Sequence, residues 1–124
     1  MTLPLDGIRV IEIGHSIAAP YGALVLAEMG AEVIKIERPG VGDDARGWGA
    51  PVKGPSSTTS ATFHAMNRLK RAVTVDVKSE EGRKTIHRLA AISDVVIQNQ
   101  KPGLAAKLGF AKNSTLRGEA GIKY

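Results

Sequence analysis

The sequence predicts an α/β fold, a doubly wound parallel sheet, because short apolar runs typical of buried strands alternate with segments of helical character. The first apolar run, residues 8–13, closes at Gly14, and the second covers residues 33–36. An Ala/Leu-rich helical segment between them opens at Pro20 and ends at Gly30, the order that these two residues commonly take in helices. The predicted strand–helix–strand unit puts a loop and a helix N-terminus where phosphates bind in such folds.

The remainder of the chain continues the alternation. Residues 39–60 are rich in Gly, Pro, Ser and Thr, which predicts a long loop of the kind that is usually functional or mobile. The further predicted elements are a short helix over residues 61–66, a strand over 72–76, a helix capped by Ser79 and a last buried strand over 94–97.

Length and composition indicate one globular domain that is stabilised by packing. With 124 residues, of which 43% are apolar, the chain can bury an ordinary core. No run approaches the roughly twenty apolar residues of a membrane span, and the N-terminus lacks the basic start of a signal peptide, so we expect a cytoplasmic protein without membrane association. The absence of cysteine excludes disulfides and a zinc–cysteine cluster, and His15, His64 and His87 lack ligand spacing, so no metal site is expected.

The charge pattern favours a small anionic partner. The formal net charge is +5, but it is not concentrated in a basic run with interleaved aromatics, so nucleic acid is not expected as a partner. The local basic residues suit a polyphosphate instead, and they are Arg68, Lys70, Arg71, Lys101 and Lys107.

The first strand-to-helix turn and the charged corner after the second strand limit the kinds of nucleotide that the predicted site can bind. Residues 14–20 lack the Gly-x-Gly-x-x-Gly pattern that brings a pyrophosphate close to the backbone, so NAD is disfavoured. At the position of Glu37, an acid commonly binds a ribose hydroxyl in NAD enzymes. An arginine such as Arg38 can instead bind a ribose phosphate with two hydrogen bonds, as NADP or the 3′-phosphate of coenzyme A would require. We favour Arg38 as the ligand contact, and the alternative is a surface ion pair with a neighbouring acid.

Three other polar residues near this corner each have two interpretations. His15, in the first turn, is a candidate substrate contact, and an inert turn residue is the alternative. Asp43 and Asp44, in the long loop, are a candidate pair for acid–base chemistry. The favoured alternative is that they shape the loop through turn hydrogen bonds.

Ordered motifs run along most of the chain. They are Pro-Leu-Asp-Gly-Ile-Arg-Val at 4–10, Ala-Pro-Tyr at 19–21, the segment 26–40, Gly-Asp-Asp-Ala-Arg at 42–46 with Trp-Gly at 48–49, Asn-Arg-Leu-Lys-Arg at 67–71 with the strand at 73–76, and Ser-Asp-Val-Val-Ile-Gln-Asn at 93–99 with Pro-Gly at 102–103 and Leu-Gly at 108–109. Together they resemble the N-terminal part of class III coenzyme A transferases, the CaiB/BaiF family, over residues 3–110.

This resemblance implies a division of the chain. Residues 1–110 would form an N-terminal, coenzyme A-binding, Rossmann-like region that is incomplete relative to the full family fold. Residues 111–124 turn polar and would be a divergent or frayed tail.

The resemblance also implies cofactor contacts at the first turn, the corner and the basic segment. Ile17 and Ala18 would contact the adenosine end of coenzyme A, and a plain strand-helix turn is the alternative. Arg38 and Lys70 would offer cations at the carboxyl edge of adjacent strands. Leu69 would cover the adenine, although the family usually has asparagine there, and a basic turn is the alternative for this segment.

On the pyrophosphate side, the resemblance implies contacts from the loop after the last strand. Asn99 and Gln100 match contact positions, with Gln100 replacing the usual aromatic residue. Lys107 stands where the family commonly has an arginine. A lysine keeps the positive charge but lacks the planar guanidinium that can form two parallel hydrogen bonds. The alternative for Lys107 is a helix-end charge.

The activity implied by the resemblance is transfer of coenzyme A between carboxylic acids. In the family an aspartate attacks the donor thioester, and anhydride and aspartyl thioester intermediates follow. A coenzyme A thioester and a carboxylic acid would be the substrates, and no tightly bound cofactor is expected. The family's catalytic aspartate lies well beyond residue 124, so we predict no catalytic residue among Asp6, Asp43, Asp44, Asp76 and Asp94.

Two alternative functions stay open, a 2-methylacyl-CoA racemase of the same family and a non-catalytic coenzyme A- or nucleotide-binding pseudoenzyme. The long loop with Arg46 and Trp48 resembles the transferase branch. The full-length protein would be an interlocked homodimer by the same resemblance. We also expect residues 95–97 and the Ile86/Leu89 stripe to need cover from a second copy or from further chain.

Overall fold

Four parallel strands form one sheet with helices on both faces, which confirms the predicted fold class. The computed structural model describes residues 2–49, 52, 59–107 and 109, so the predicted tail at 111–124 lies outside the described residues. In chain order the elements are β1 Arg9–Ile13, α1 Ala18–Glu28, β2 Glu32–Glu37, α2 Ala61–Asn67, β3 Lys70–Thr74, α3 Glu80–Ala91, β4 Val95–Gln98 and α4 Leu104–Lys107. The strand order is β3-β2-β1-β4, so the direction of winding reverses between β1 and β4.

The two faces of the sheet carry separate apolar cores. On one face, Ile11 of β1 packs in a cluster with Ile86 of α3. On the other face, Val33 of β2 packs with Ala23 and Ala27 of α1. The small side chains of α1 let its backbone lie close to the sheet, whereas α3 contributes larger aliphatic groups.

Several predicted boundaries shift for identifiable reasons. Helix α1 begins at Ala18, and Pro20 stands in its first turn, where the missing N–H costs no hydrogen bond. Strand β3 covers Lys70–Thr74 instead of residues 72–76, because Lys70 already pairs with Val33 of β2. Ser79 caps α3 as predicted, since its Oγ accepts a 2.9 Å hydrogen bond from the Gly82 N–H.

The apolar side chains that are exposed in the structure differ in part from those that the sequence predicted. Ile86 is fully buried and Val96 is 2% exposed, so the expectation that residues 95–97 and the Ile86/Leu89 stripe need further cover is wrong for these two residues. They are covered because α3 closes over the sheet within this chain, whereas Val95, Ile97 and Leu89 are only half-buried. Helix α1 and the residue that caps its C-terminus also expose Tyr21, Val25 and Met29, which follow one another at a spacing of four residues.

The helices of the described segments are short. The longest of them, α3, has 12 residues, and within those segments no helix is both long and apolar enough to cross a membrane.

Gly82 is required by a close approach of α3 to the turn before it. A Cβ added there would lie 1.8 Å from the Asp76 carbonyl oxygen, a backbone atom that cannot move aside cheaply.

We predict that Gly82→Ala lowers the free energy of unfolding by about 2 to 3 kcal/mol, the cost of overpacking. The matched control is Gly22→Ala in α1, where a Cβ meets nothing within 4 Å. This control should raise stability by about 0.5 to 1 kcal/mol. Urea unfolding midpoints test both changes, and equal effects at the two glycines would contradict the argument.

Candidate coenzyme A site

A cavity of about 230 Å³ opens at the carboxyl edge of the sheet. The ends of β1 and β2 form part of its wall, and the segments that follow β3 and β4 form the rest. The lining residues are Ile13, Gly14, His15, Ile36, Glu37, Arg38, Gly42, Asp43, Val75, Val77, Lys78, Gln100 and Leu104. Open α/β sheets bind ligands at this edge, where the strand order reverses.

Two amide side chains after β4 hold the end of β1 in place. The Asn99 Oδ1 accepts a 3.1 Å hydrogen bond from the His15 N–H, and its Nδ2 donates a 2.8 Å bond to the His15 carbonyl. The Gln100 Nε2 donates a 3.0 Å bond to the Ile13 carbonyl. Gln100 lines the cavity as well, whereas the Asn99 amide is occupied by the turn that it fixes.

The turn from β1 into α1 is held from the other side by the loop after β2. Ser16 adopts a left-handed conformation with φ 68°, which is uncommon for a residue other than glycine. Its N–H donates a 2.9 Å hydrogen bond to Asp43 Oδ1. Ile17 and Ala18 follow, both exposed, and no side chain caps the start of α1. These two residues lie beside the cavity turn but do not line the cavity.

A group of four buried charges lies on the α1 face of the sheet. Lys35 Nζ is 2.6 Å from Glu12 Oε1 and 2.7 Å from Asp43 Oδ2. Glu12 Oε2 accepts a 2.7 Å bond from Lys70 Nζ. All four side chains are at most 1% exposed. We call Glu12, Lys35, Asp43 and Lys70 the buried charge cluster.

Sequence analysis missed this cluster although a signal was present. Glu12 and Lys35 interrupt the two apolar runs that predicted β1 and β2. They stand opposite each other in the parallel register. A charge of each sign inside two neighbouring buried strands indicates a buried ion pair, because an isolated charge there would be very costly.

The environment of the cluster shifts the pKa values of Asp43 and Lys70. Burial alone would raise the pKa of Asp43, but the Lys35 ammonium and two backbone N–H groups outweigh burial and hold that pKa below its ordinary value. Burial lowers the pKa of Lys70, an effect that the Glu12 carboxylate partly offsets. Asp43 also accepts a 2.9 Å bond from the Ala45 N–H, so the prediction that it shapes the loop is confirmed.

Glu37 lines the cavity, but its carboxylate oxygens are taken up by hydrogen bonds that stabilise the loop. Its two carboxylate oxygens accept 2.7 Å bonds from Nε and Nη2 of Arg46, and Oε2 also accepts a 2.9 Å bond from the Asp43 N–H. Burial would raise the pKa of Glu37, but these donors hold it below its ordinary value. The Arg46 guanidinium in turn lies 3.9 Å from the centre of the Phe63 ring of α2. The acid of the corner therefore anchors the loop, and Arg38 is left as the residue at the surface.

Arg38 lies at the mouth of the cavity with about half of its side chain, 54%, exposed. Its Nε and Nη2 each donate a 3.1 Å hydrogen bond to the Gly42 carbonyl. Its Nη2 also forms an ion pair with Asp44. The alternative interpretation of Arg38, a pair with a neighbouring acid, thus describes part of its environment, and the guanidinium stays accessible.

Three predicted residues lie apart from the cavity. Lys70 begins β3 and so stands at the amino end of that strand, which makes its expected position at the carboxyl edge wrong. Its ammonium is occupied by Glu12, by the Pro20 carbonyl and by Asn67. Leu69 is 67% exposed in a left-handed conformation, φ 66°, which asparagine tolerates better than leucine. Lys107 borders an open groove along α3.

The structure adds three residues that the sequence did not single out. Val75, Val77 and Lys78 follow β3 directly and line the cavity. The signal that could have found them is their position after a strand, since the carboxyl ends of parallel strands meet at one edge. Lys78, exposed at this edge, supplies the cation that had been expected from Lys70.

Comparison with known proteins identifies the family. Residues 5–118 match the sequence profile of CoA-transferase family III, and the chain belongs to this family. A succinate–glutarate CoA-transferase from Agrobacterium fabrum is 45% identical over 110 residues, which are 86% of this chain and 28% of that protein. A succinyl-CoA:glutarate CoA-transferase from mouse is 41% identical over 107 residues, 86% of this chain and 24% of that protein.

A solved structure agrees in fold as well as in sequence. A CaiB/BaiF family protein from Brucella suis superposes with a TM-score of 0.84 at 42% identity, and the match covers 94% of this chain and 32% of that one. The chain thus spans about a quarter of the length of the curated relatives that it matches.

Because the pKa of Asp43 is lowered, the effect of its substitution on the free energy of unfolding should depend on pH. Asp43→Asn should lower the free energy of unfolding by about 3 kcal/mol at neutral pH, because it leaves the buried charge cluster with excess positive charge. A carboxylate with a depressed folded-state pKa contributes stability above its unfolded pKa, 3.8 here, and this contribution is lost as pH falls through the folded value. The difference in unfolding free energy between the unchanged chain and Asp43→Asn should therefore be largest above pH 3.8 and decrease below it. Urea unfolding across this pH range measures it.

The control for this prediction is Glu80→Gln, which removes a carboxylate from an exposed pair with Lys84. It should change the free energy of unfolding by less than about 0.5 kcal/mol. A penalty for Asp43→Asn that is the same at every pH would show that folding does not lower the pKa of Asp43.

Proposed function

We propose that this chain is the coenzyme A-binding N-terminal part of an enzyme that transfers coenzyme A between carboxylic acids. The observation that carries the proposal is the half-exposed Arg38 guanidinium at the mouth of an apolar-walled cavity. That cavity lies at the carboxyl edge of the sheet in a chain that belongs to CoA-transferase family III. The reaction, through an aspartyl anhydride and thioester, follows from the family resemblance.

The cavity suits one end of the ligand. Its walls include Ile36, Val75 and Val77, which can cover a flat heterocycle, and Arg38 and Lys78 are cations that can neutralise phosphates nearby. Its volume, about 230 Å³, is below the roughly 300 to 1,000 Å³ of sites that enclose a drug-sized ligand. We infer that it takes the adenosine-phosphate end, while the rest of coenzyme A lies outside.

The residues implied by the family resemblance take different roles in this proposal. Arg38 and Gln100 contact the ligand, and the exposed turn at Ile17 and Ala18 lies beside it. Asn99 acts by fixing the turn at the end of β1. Lys70 has a structural role, because its ammonium donates a hydrogen bond to Glu12 within the buried charge cluster. Leu69 and Lys107 lie outside the cavity and are reached only by parts of the ligand that extend beyond it.

The names of the relatives support short dicarboxylic acids as acyl donor and acceptor. We also propose a cytoplasmic enzyme that works as an interlocked homodimer, as the family resemblance implies. The exposed stripe of Tyr21, Val25 and Met29 on α1 supports association, because apolar side chains at helical spacing favour cover by another surface.

Arg38 provides the first test of the proposal. Arg38→Ala should weaken coenzyme A binding about 10- to 100-fold and dephospho-coenzyme A far less, because a charge-assisted hydrogen bond to the 3′-phosphate is lost. Isothermal titration with both ligands measures the difference. Arg68→Ala is the matched control, since Arg68 is equally exposed, also pairs with an acid and lies away from the cavity. Equal losses for both ligands would give Arg38 a structural role.

A second test concerns catalysis. The 124-residue chain should show no acyl transfer, because none of its aspartates matches the family nucleophile. The assay uses acetyl-, succinyl- and oxalyl-coenzyme A with a panel of carboxylates. Turnover above background would contradict the prediction and would place a nucleophile among the aspartates of this chain.

A further inference from the structure

The carboxylate of Asp44 connects two side chains that line the cavity. Its Oδ1 forms an ion pair with Arg38 Nη2, and its Oδ2 lies 3.3 Å from His15 Nδ1. The side chain of Asp44 is 46% exposed. It therefore stands in solvent at the cavity mouth, next to the guanidinium that is proposed to hold a phosphate.

The local fold does not need this carboxylate. Asp44 begins the short 3-10 helical turn, but the carboxylate that caps the turn is that of Asp43, whose Oδ1 accepts a hydrogen bond from the Ala45 N–H. Arg38 does not need it for orientation either, because two of its nitrogens already donate to the Gly42 carbonyl. What Asp44 adds at this place is a negative charge.

We propose that Asp44 is a specificity-determining residue that competes with the phosphate of the ligand for Arg38. The inference rests on the proposed function, in which Arg38 holds the 3′-phosphate of coenzyme A. An incoming phosphate meets a guanidinium edge that a carboxylate already occupies, and the two anions repel each other. Asp44 thereby lowers the affinity for the phosphorylated ligand and leaves the affinity for its dephospho form unchanged.

His15 gives the displaced carboxylate a second partner. Its backbone is fixed on both sides by the Asn99 amide, and its Nδ1 also lies 3.0 Å from Ser16 Oγ. When a phosphate takes Arg38 Nη2, Asp44 retains its contact with His15. The competition therefore does not leave a carboxylate without a partner in the cavity mouth.

The test compares Asp44→Asn with the unchanged chain in titrations with coenzyme A and with dephospho-coenzyme A. Asn keeps the shape of the side chain and removes its charge. We expect coenzyme A to bind about 3- to 10-fold more tightly, the effect of removing one like charge at close range in a solvent-exposed site. Dephospho-coenzyme A should bind within about twofold of its original affinity, and Asp44→Ala should show the same pattern because Gly42 orients Arg38.

Salt separates an electrostatic effect from a structural one. The gain in coenzyme A affinity should shrink at about 0.5 M salt, where exposed charges are screened. The matched control is Glu28→Gln, which removes the same charge from an equally exposed arginine–carboxylate pair, that of Arg68 and Glu28. This control should leave both affinities unchanged.

The outcomes distinguish this inference from the proposed function. Weaker coenzyme A binding in Asp44→Asn, an equal change for both ligands, or an equal gain in Glu28→Gln would overturn the role of Asp44 while coenzyme A binding itself stands. If neither ligand binds to the unchanged chain or to Asp44→Asn, the proposed function fails and this inference fails with it. Detectable coenzyme A binding that appears only in Asp44→Asn would support both.

Discussion

The buried charge cluster of Glu12, Lys35, Asp43 and Lys70 is the constraint on which the remaining structure depends. Each ion loses several kcal/mol of hydration on burial, so none of them is tolerable there without the others. Because they come from β1, β2, the loop after β2 and the start of β3, three strands and one loop must reach their places together. A shift of β1 by one residue would turn Glu12 to the opposite face of the sheet and leave Lys35 with one carboxylate fewer. The cluster therefore selects one register among otherwise similar apolar pairings.

The same cluster determines the shape of the candidate site. Asp43 bonds to Lys35 on one side and to the Ser16 N–H on the other, so the loop after β2 is fixed to the turn that opens α1. Glu37 and Arg46 fix the next part of the loop through their paired hydrogen bonds. With these acids occupied, Arg38 remains half-exposed at the corner, where the exposed carboxylate of Asp44 pairs with part of its guanidinium. A rigid loop with a half-exposed guanidinium suits recognition of a phosphate, because little side-chain freedom is lost on binding.

Two of the ligand contacts predicted from the sequence line the cavity, whereas Asn99, which directly follows β4, does not. Arg38 after β2 and Gln100 after β4 both line the cavity, since the carboxyl ends of parallel strands meet at one edge. Lys70 was misplaced because its position at the carboxyl edge came from the family resemblance, although it precedes or begins β3 with either the predicted or the observed bounds and so belongs to the amino end of that strand. Lys78 follows the end of β3 and was not considered, although its position after a strand was the available signal.

By itself the sequence determined the fold class and the family and predicted a charged corner after β2, because alternation of strands and helices, ordered motifs and the Glu37-Arg38 pair are local patterns. Only the tertiary structure decided which charges are structural and which are accessible. Glu12 and Lys35 are adjacent across two strands, and Arg38 and Asp44 meet across a turn of the loop. Such pairings join residues whose separation along the chain carries no information about distance in space. The free energy of burying or exposing each charge depends on that distance and on the solvent around it, so it is decided when the chain has folded.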